Sequence, residues 1–206
     1  MTVAIVILAA GMSSRMGNSG AHKLLANFGG VPLLRKTVLM AVATSAVSVT
    51  VVLGHRHDEM QEMLSDLDVQ TVINPDYASG MASSFIAGFS STKVQSADGV
   101  LVLLADMPGI TSNHLNTLIA AFEKAGQVAI IRAAADGKPG NPVILPRSLS
   151  NDVAHLQGDI GARHLIKQSG LPIIDVEIGP AAAIDVDTPD DIAAAGGILQ
   201  SPHTPM

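Results

Sequence analysis

The chain has 206 residues, 48% of them hydrophobic, and a formal net charge of -6 at pH 7. This acidic balance argues against a nucleic-acid partner, because binding to phosphate backbones needs a basic surface. The absence of cysteine excludes disulfides and thiolate metal sites. The apolar run at the start ends at Ala10, too short for a membrane span of roughly 18 residues and without the basic flank of a signal peptide. We therefore expect a soluble, cytoplasmic protein that binds no membrane.

Aromatic residues make up only 2% of the chain, so the core must be aliphatic, which suits parallel strands covered by helices. Short β-branched runs alternate with segments of helical periodicity, and this alternation predicts βαβ units in a single α/β domain with a mostly parallel sheet. We predict this domain over residues 1–199 and a flexible tail over 200–206. The predicted strands are Val3–Ala9, Val47–Leu53, Val69–Ile73, Gly99–Ala105, Val128–Arg132, Asn141–Leu145 and Ile173–Ile178, and the predicted helices are Pro32–Ala43, Glu59–Asp66, Met81–Phe89, Thr111–Lys124 and Ala162–Gln168, with a last helix from Pro189.

The first predicted strand leads into the small residues Leu8-Ala9-Ala10-Gly11, with Arg15 and Lys23 further on. In open α/β sheets ligands bind beyond the carboxyl ends of the strands, and small residues let backbone N–H groups approach an anion. Arg15 and Lys23 would then neutralise a triphosphate. The alternative is an ordinary βα turn with two solvated cations. The Walker A loop and the G-x-G-x-x-G fingerprint are both absent from this stretch, which argues against the common ATPases and dehydrogenases.

Acidic residues follow two later apolar runs. Asp106 comes at the end of a predicted buried strand, where its carboxylate can face the crevice and bind a hard cation such as Mg²⁺. Alternatively, Asp106 caps the helix that follows. Near the end of the chain, alternation along a strand places Asp185 and Asp187 on one face. The charge run around them is, on the other interpretation, a solvated surface.

The histidines match no motif position. His55 and His57 follow the second predicted strand, where a metal pair and a surface loop are the alternatives. No third ligand falls at a recognisable spacing, which favours the loop. We expect the other histidines at the surface or its boundary, namely His22, His114, His155, His164 and His203.

Together these segments resemble the molybdenum cofactor cytidylyltransferase branch of the MobA-like nucleotidyltransferase family. The ordered motifs are LAAG…SRMG…K over residues 8–23, NP…SGM.SS over 74–84, LLADMP over 103–108, G.PGNPV over 137–143, GDIGAR over 158–163 and IDVDTPDDI over 184–192. The resemblance covers nearly the whole chain and implies a Rossmann-like three-layer sandwich that binds an NTP with Mg²⁺ as cofactor. Ala10, where guanylyl members tend to have glycine, and the GDIGAR segment favour CTP.

The resemblance also implies roles for individual residues. Asn141 stands where the family often has histidine, in a segment near the acceptor. For the nucleotide the implied residues are Leu8, Ala9, Ala10, Gly11, Arg15, Lys23, Asn74, Gly80 and Ser84; for the metal Asp106 and Asp187; for the acceptor Asn141, Asp159 and Arg163; and for catalysis Arg15, Lys23 and Asp106.

The activity that this resemblance implies is transfer of CMP from CTP to the phosphate of molybdopterin, with release of pyrophosphate. It also implies transient contact with a molybdoenzyme or its chaperone. Two alternatives stay open: the same reaction with GTP or with a sugar phosphate acceptor, and a non-catalytic nucleotide- or cofactor-binding protein. The presence of Arg15, Lys23 and Asp106 argues against the non-catalytic alternative.

Overall fold

The fold is organised around one large sheet within the residues that the computed structural model describes, which are 2–19, 21–158 and 162–199. The strands are β1 (Val3–Ala9), β2 (Asn27–Phe28), β3 (Val31–Pro32), β4 (Ser48–Leu53), β5 (Gln70–Ile73), β6 (Gly99–Leu104), β7 (Ile130–Ala135), β8 (Lys138–Pro146) and β9 (Ile173–Glu177). Seven of them form the sheet in the order β5-β4-β1-β6-β8-β7-β9, and β2 pairs with β3 separately.

The sheet is parallel except at β8, which runs antiparallel to both β6 and β7. The mostly parallel α/β sheet predicted from the sequence is therefore confirmed. The exception has a local cause in the turn between β7 and β8. Asp136 and Gly137 both have positive φ, at 51° and 71°. Two such residues form a tight hairpin turn, so β8 returns directly beside β7.

Helices cover both faces of the sheet. They are α1 (Leu33–Val42), α2 (His57–Met63), α3 (Met81–Phe89), α4 (Thr92–Gln95), α5 (Ser112–Lys124), α6 (Ser150–Ala154), α7 (Ala162–Gln168) and α8 (Pro189–Ala194). Two of them begin with a capping box, in which Thr111 and Thr188 each accept a hydrogen bond from the third helical N–H. Among the described residues, no helix has the length and apolar content that crossing a membrane would need.

Alternation along β1 divides the core into two layers. Ile5 and Ile7 face the side covered by α1, α2 and α5, where Phe122 is fully buried. Ala4 and Val6 face the other side, which α3, α4, α6 and α7 cover with residues such as Phe85. Because both faces of the strand are apolar and buried, the sheet is the middle of a three-layer sandwich.

The predicted elements differ from the observed ones mainly where no strong periodicity exists. Every predicted strand and helix with stated bounds is present, with ends that move by three residues or fewer. The short pair β2–β3 and the short helices α4 and α6 were not predicted. The strand expected around Asp185 and Asp187 is wrong, because residues 184–187 have no regular secondary structure. The predicted tail over 200–206 lies outside the described residues.

The close packing of α3 on the sheet depends on Gly88 and gives a testable prediction. A Cβ at this position would stand 2.5 Å from Cγ1 of Val6 and 3.1 Å from Cγ2 of Val52, and these side chains are buried and stiff. Gly88→Ala should therefore lower the free energy of unfolding by about 1 to 3 kcal/mol through overpacking. Urea denaturation measures the change. Gly109→Ala is the matched control, since its Cβ would meet only ordinary contacts at 3.5 Å, and an equal loss in both variants would contradict the packing argument.

Candidate active site

A cleft of about 430 Å³ opens at the carboxyl ends of β1 and β6. It contains every residue predicted for the nucleotide except Asn74, and both residues predicted for the metal. Adjacent parallel strands end at the same edge of the sheet, which is why segments distant in sequence converge here. The cleft is lined by Leu8, Ala9, Ala10, Gly11, Met12, Arg15, Lys23, Leu24, Tyr77, Ala78, Gly80, Met81, Ser84, Leu104, Ala105, Asp106, Asp185 and Asp187.

The segment after β1 is held against the end of β4 by close backbone packing. At Gly54 a Cβ would stand 2.7 Å from the Ala10 carbonyl oxygen and 2.7 Å from Cβ of Tyr77. A side chain at Gly54 would therefore separate the loop that carries Ala10 from the segment that carries Tyr77. The glycine lets these two walls of the cleft approach each other.

Lys23 lies between the two predicted metal ligands. Its Nζ donates to Asp106 Oδ2 at 2.5 Å and to Asp187 Oδ1 at 2.6 Å, and its side chain is only 13% exposed. Burial lowers the Lys23 pKa, but the charge of Asp106 and the hydrogen bonds to both carboxylates outweigh this effect, so the Lys23 pKa is raised. The hydrogen bond from Lys23 in turn lowers the pKa of Asp187. Lys23 is thus held as an ammonium ion between two carboxylates.

A third carboxylate completes this cluster. Oxygens of Asp106, Asp185 and Asp187 all lie within 4.8 Å of one another. Desolvation in the cleft, followed by the negative charge of Asp106, raises the pKa of Asp185. Nη1 of Arg15 donates to Asp187 Oδ2, and the Arg15 side chain is 70% exposed. Because its side chain is already mostly exposed, Arg15 can move to an anion in the cleft without losing many buried contacts.

The donor set fits a hard divalent cation such as Mg²⁺, which prefers carboxylate oxygens. Oδ1 of Asp106 is buried and has no hydrogen-bond partner among the described residues, so one ligand lone pair is unused. Carboxylate oxygens at about 2.1 Å from one octahedral ion lie about 3 to 4 Å apart. The spacing of up to 4.8 Å in the cluster needs only a modest contraction to reach this geometry.

The backbone explains how Asp185 and Asp187 share one face without a strand. Val186 is fully buried, and its N–H donates to the Asp106 carbonyl oxygen at 2.9 Å. This single anchor buries the middle residue and turns its two neighbours towards the cleft. The alternative role of Asp106 as a helix cap does not hold, because Thr111 caps the helix that follows.

Asn74 supports the nucleotide cleft from behind its wall. It is buried, and its side-chain nitrogen donates to Ser83 Oγ at 2.9 Å and to Ser84 Oγ at 3.0 Å. Ser84 itself lines the cleft. Gly80 precedes α3 with a φ of 116°, a conformation that favours glycine. Asn74 therefore positions Ser84 from outside the cleft, and Ser84 is the residue that can contact a ligand.

His22 is buried, so its expected place at the surface or its boundary is wrong. The residue is 3% exposed. Its Nε2 lies 3.0 Å from the Gly11 carbonyl oxygen, and its Nδ1 accepts a hydrogen bond from the backbone nitrogen of Leu24 at 3.3 Å. Because Nδ1 accepts, Nε2 carries the proton and donates to Gly11. Burial lowers the His22 pKa to about 4, although the hydrogen bond to Gly11 acts in the opposite direction. A neutral His22 thus ties Gly11 to the segment that carries Lys23.

For His55 and His57 the alternatives were a metal pair and a surface loop. His55 is half-buried and stacks on the His22 ring with centroids 5.7 Å apart. Among the residues described, neither His55 nor His57 belongs to a group of three side chains placed to hold a metal ion. The surface-loop interpretation holds only in part, because His57 is the first residue of α2 and both histidines are half-buried.

A second cavity of about 360 Å³ adjoins the first and shares Met81 and Leu104 with it. Asn141 and Arg163, both predicted for the acceptor, line this second cavity. The third predicted acceptor residue, Asp159, lies outside the described residues.

The second cavity also contains Arg132, which the sequence motifs did not single out. Its Nε and Nη2 donate to the Asp175 carboxylate at 2.7 and 3.0 Å. Arg132 interrupts the apolar run of β7, and this was the available signal in the sequence. Two arginines in one cavity suit an anionic ligand.

Comparison with known proteins agrees with this geometry. The family model of the MobA-like NTP transferase domain matches residues 5–173. The chain is 27% identical over 191 residues to nicotine blue oxidoreductase from Paenarthrobacter nicotinovorans, covering 89% of this chain and 91% of that protein. It is 31% identical over 133 residues to the bifunctional protein GlmU from Leifsonia xyli subsp. xyli, which covers 64% of this chain but only 27% of GlmU.

Solved structures show the same fold. A homologue of Mycobacterium tuberculosis Rv0371c from Mycobacterium sp. strain JC1 superposes with a TM-score of 0.78 at 30% identity, covering 94% of this chain and 96% of that one. The Rv0371C complex with manganese from Mycobacterium tuberculosis has a TM-score of 0.77 at 21% identity, covering 95% and 98% of the two chains.

The low pKa of His22 predicts a pH dependence of stability. The unfolded chain takes up a proton near pH 6.5 and the folded chain near pH 4, so stability falls as the pH is lowered between these values. The loss should be about 1.4 kcal/mol per pH unit within this window. Urea denaturation at pH 4 to 6.5 should show that His22→Gln removes this part of the slope. His155→Gln, at an exposed position, should keep it; equal slopes in the wild type and His22→Gln would contradict the assignment.

Proposed function

The chain belongs to the family of MobA-like NTP transferases, and we propose that it transfers CMP from CTP to the phosphate of a molybdopterin-type acceptor and releases pyrophosphate. One observation carries this proposal. The cleft that holds Arg15, Lys23 and three carboxylates shares a wall with a second cavity that contains two arginines. This arrangement suits a triphosphate on one side and a phosphorylated acceptor on the other.

The reaction needs positioning and charge stabilisation more than covalent participation by the protein. An oxygen of the acceptor phosphate forms a bond to the α-phosphorus of CTP, and the bond from that phosphorus to the bridging oxygen breaks as pyrophosphate leaves. The acceptor phosphate is already ionised at neutral pH, so no general base is required. Arg15 and Lys23 would stabilise the charge that accumulates on the leaving pyrophosphate.

Asp106 and Asp187, with Asp185 beside them, are the residues that would hold Mg²⁺. The bound ion would supply positive charge to the phosphate oxygens at the reacting centre. The manganese complex of the similar Rv0371C fold supports a divalent cation in this proposal. Tyr77 and Ser84 line the same cleft as Ala10 and would contact the nucleoside.

The proposed acceptor site consists of Asn141, Arg132 and Arg163, with Asp159 carried over from the motif resemblance alone. Arg132 is already paired with Asp175, so its fork is fixed in direction before a ligand arrives. Transient contact with a molybdoenzyme or its chaperone belongs to the same proposal, because the product would have to reach the protein that uses it.

Product analysis with each of the four NTPs tests this function. With Mg²⁺ and molybdopterin, we expect the CMP adduct of molybdopterin and stoichiometric pyrophosphate. Because a pocket that hydrogen-bonds one base leaves polar groups unpaired with another, CTP should exceed GTP by at least about tenfold in kcat/KM. A preference for GTP would assign the chain to the guanylyl alternative, and turnover with sugar phosphates only would replace the acceptor. No pyrophosphate release with any pair would favour the non-catalytic alternative.

Substitution of the carboxylates tests the metal assignment. Asp106→Asn should reduce turnover by about a hundredfold or more, because it removes charge from the proposed ion at the reacting centre. Asp187→Asn should instead raise the Mg²⁺ concentration needed for half-maximal rate, with partial recovery at high Mg²⁺. Asp190→Asn is the matched control, since Asp190 is exposed in the first turn of α8 and should keep both parameters. Normal turnover of Asp106→Asn at low Mg²⁺ would remove Asp106 from the proposed site.

A further inference from the structure

The Lys23 ammonium and a divalent cation would compete for the same oxygens of Asp106 and Asp187. Nζ of Lys23 lies 2.5 Å from Asp106 Oδ2 and 2.6 Å from Asp187 Oδ1. A divalent cation held by these same two oxygens would have to displace the ammonium, because like charges that share two ligands repel. Binding of a cation through these two oxygens therefore requires that Lys23 moves away.

We propose that Lys23 is the resident counter-ion of this site, and that a divalent cation and the NTP bind in a coupled manner: the cation replaces the ammonium between Asp106 and Asp187, and the ammonium moves to the triphosphate. This inference rests on the proposed function, because it takes the same cluster as the cation site and the same cleft as the NTP site. It adds a role for Lys23 before catalysis, as the group that holds the two ligands together.

The energetic argument concerns where the Lys23 charge can go. Its side chain is only 13% exposed, so an ammonium displaced by a cation alone would remain in the cleft without its partners, which is costly for a largely buried charge. A triphosphate in the cleft offers new partners and removes this cost. Each of the two ligands therefore raises the affinity of the site for the other, and thermodynamic linkage requires this coupling to be reciprocal.

Arg15 provides an internal contrast for the same cluster. It also pairs with Asp187, but it contacts Oδ2 from outside and its side chain is 70% exposed. A cation between Asp106 and Asp187 would not need the space that Arg15 occupies. Removal of either residue changes the net charge by one unit, so any difference between the two variants reports on position rather than on charge.

The test measures binding of Mn²⁺ alone, followed as free Mn²⁺ by electron paramagnetic resonance at fixed pH and ionic strength. Lys23→Met should bind Mn²⁺ at least about tenfold more tightly than the wild type, because the competing ammonium is gone. Arg15→Met should gain less than about threefold, since an exposed cation is screened by solvent. Lys93→Met, at a distant exposed lysine, should match the wild type. Equal affinity of Lys23→Met and the wild type, or equal gains in Lys23→Met and Arg15→Met, would overturn the proposal.

A second measurement on the wild-type chain covers the case in which Lys23→Met does not fold. The Nζ resonance of Lys23 is observed by NMR in protein labelled with ¹⁵N-lysine and assigned with Lys23→Arg. Low-millimolar Mg²⁺ alone should leave this resonance nearly unchanged, whereas Mg²⁺ with CTP should shift it. A full shift with Mg²⁺ alone, or none with both ligands, would contradict the exchange of partners.

The outcomes of these experiments are independent of the activity test. If CTP is turned over but the wild type and Lys23→Met bind Mn²⁺ equally, the proposed function stands and the role of Lys23 is rejected. If Lys23→Met binds Mn²⁺ more tightly than the wild type but no substrate pair yields pyrophosphate, the role of Lys23 is supported and the proposed transfer reaction is rejected.

Discussion

The contact on which the rest of the site depends is the Lys23 ammonium between Asp106 and Asp187. Carboxylates that converge within 4.8 Å repel one another unless a cation or a proton compensates them. Lys23 supplies that compensation from inside the chain, with Arg15 adding to it from the solvent side. In the proposed function, the ligands of a cation and the partner of an anion would therefore be in contact before either ligand binds.

The fold brings the backbone segments that carry these charges to one edge of the sheet. β1 and β6 are adjacent parallel strands, so the segment after β1 and Asp106 after β6 meet at one edge. The hydrogen bond from Val186 to the Asp106 backbone attaches the last carboxylates directly to that edge. His22 then fixes the return of the chain to Lys23 through two ring nitrogens. Each charged group is thus carried by a backbone that is itself anchored.

The antiparallel strand β8 has a separate functional consequence. It inserts between β6 and β7 and brings Asn141 beside Arg132 in the second cavity. That cavity shares the uncharged side chains of Met81 and Leu104 with the first, so the two regions proposed for the substrates are in contact. A transfer reaction between an NTP and an anionic acceptor needs two such regions in contact, so that both substrates approach one phosphorus atom.

The sequence by itself determined the strand and helix alternation, and it predicted that the loop after β1 and Asp106 meet in one cleft, because β-branched runs and motif spacing are local properties. It did not determine that residues 184–187 lack a strand, since alternation of buried and exposed residues also arises from one anchored, buried valine. The Asp136-Gly137 pair was a readable hairpin signal for β8. Only the tertiary structure decided that His22 is buried, that Asn74 lies behind Ser84, and that Lys23 bridges two carboxylates. Lys23 and Asp106 are 83 residues apart in the sequence. The positions of His22 and Asn74 depend on how the loops pack at the end of the sheet, which no local pattern encodes.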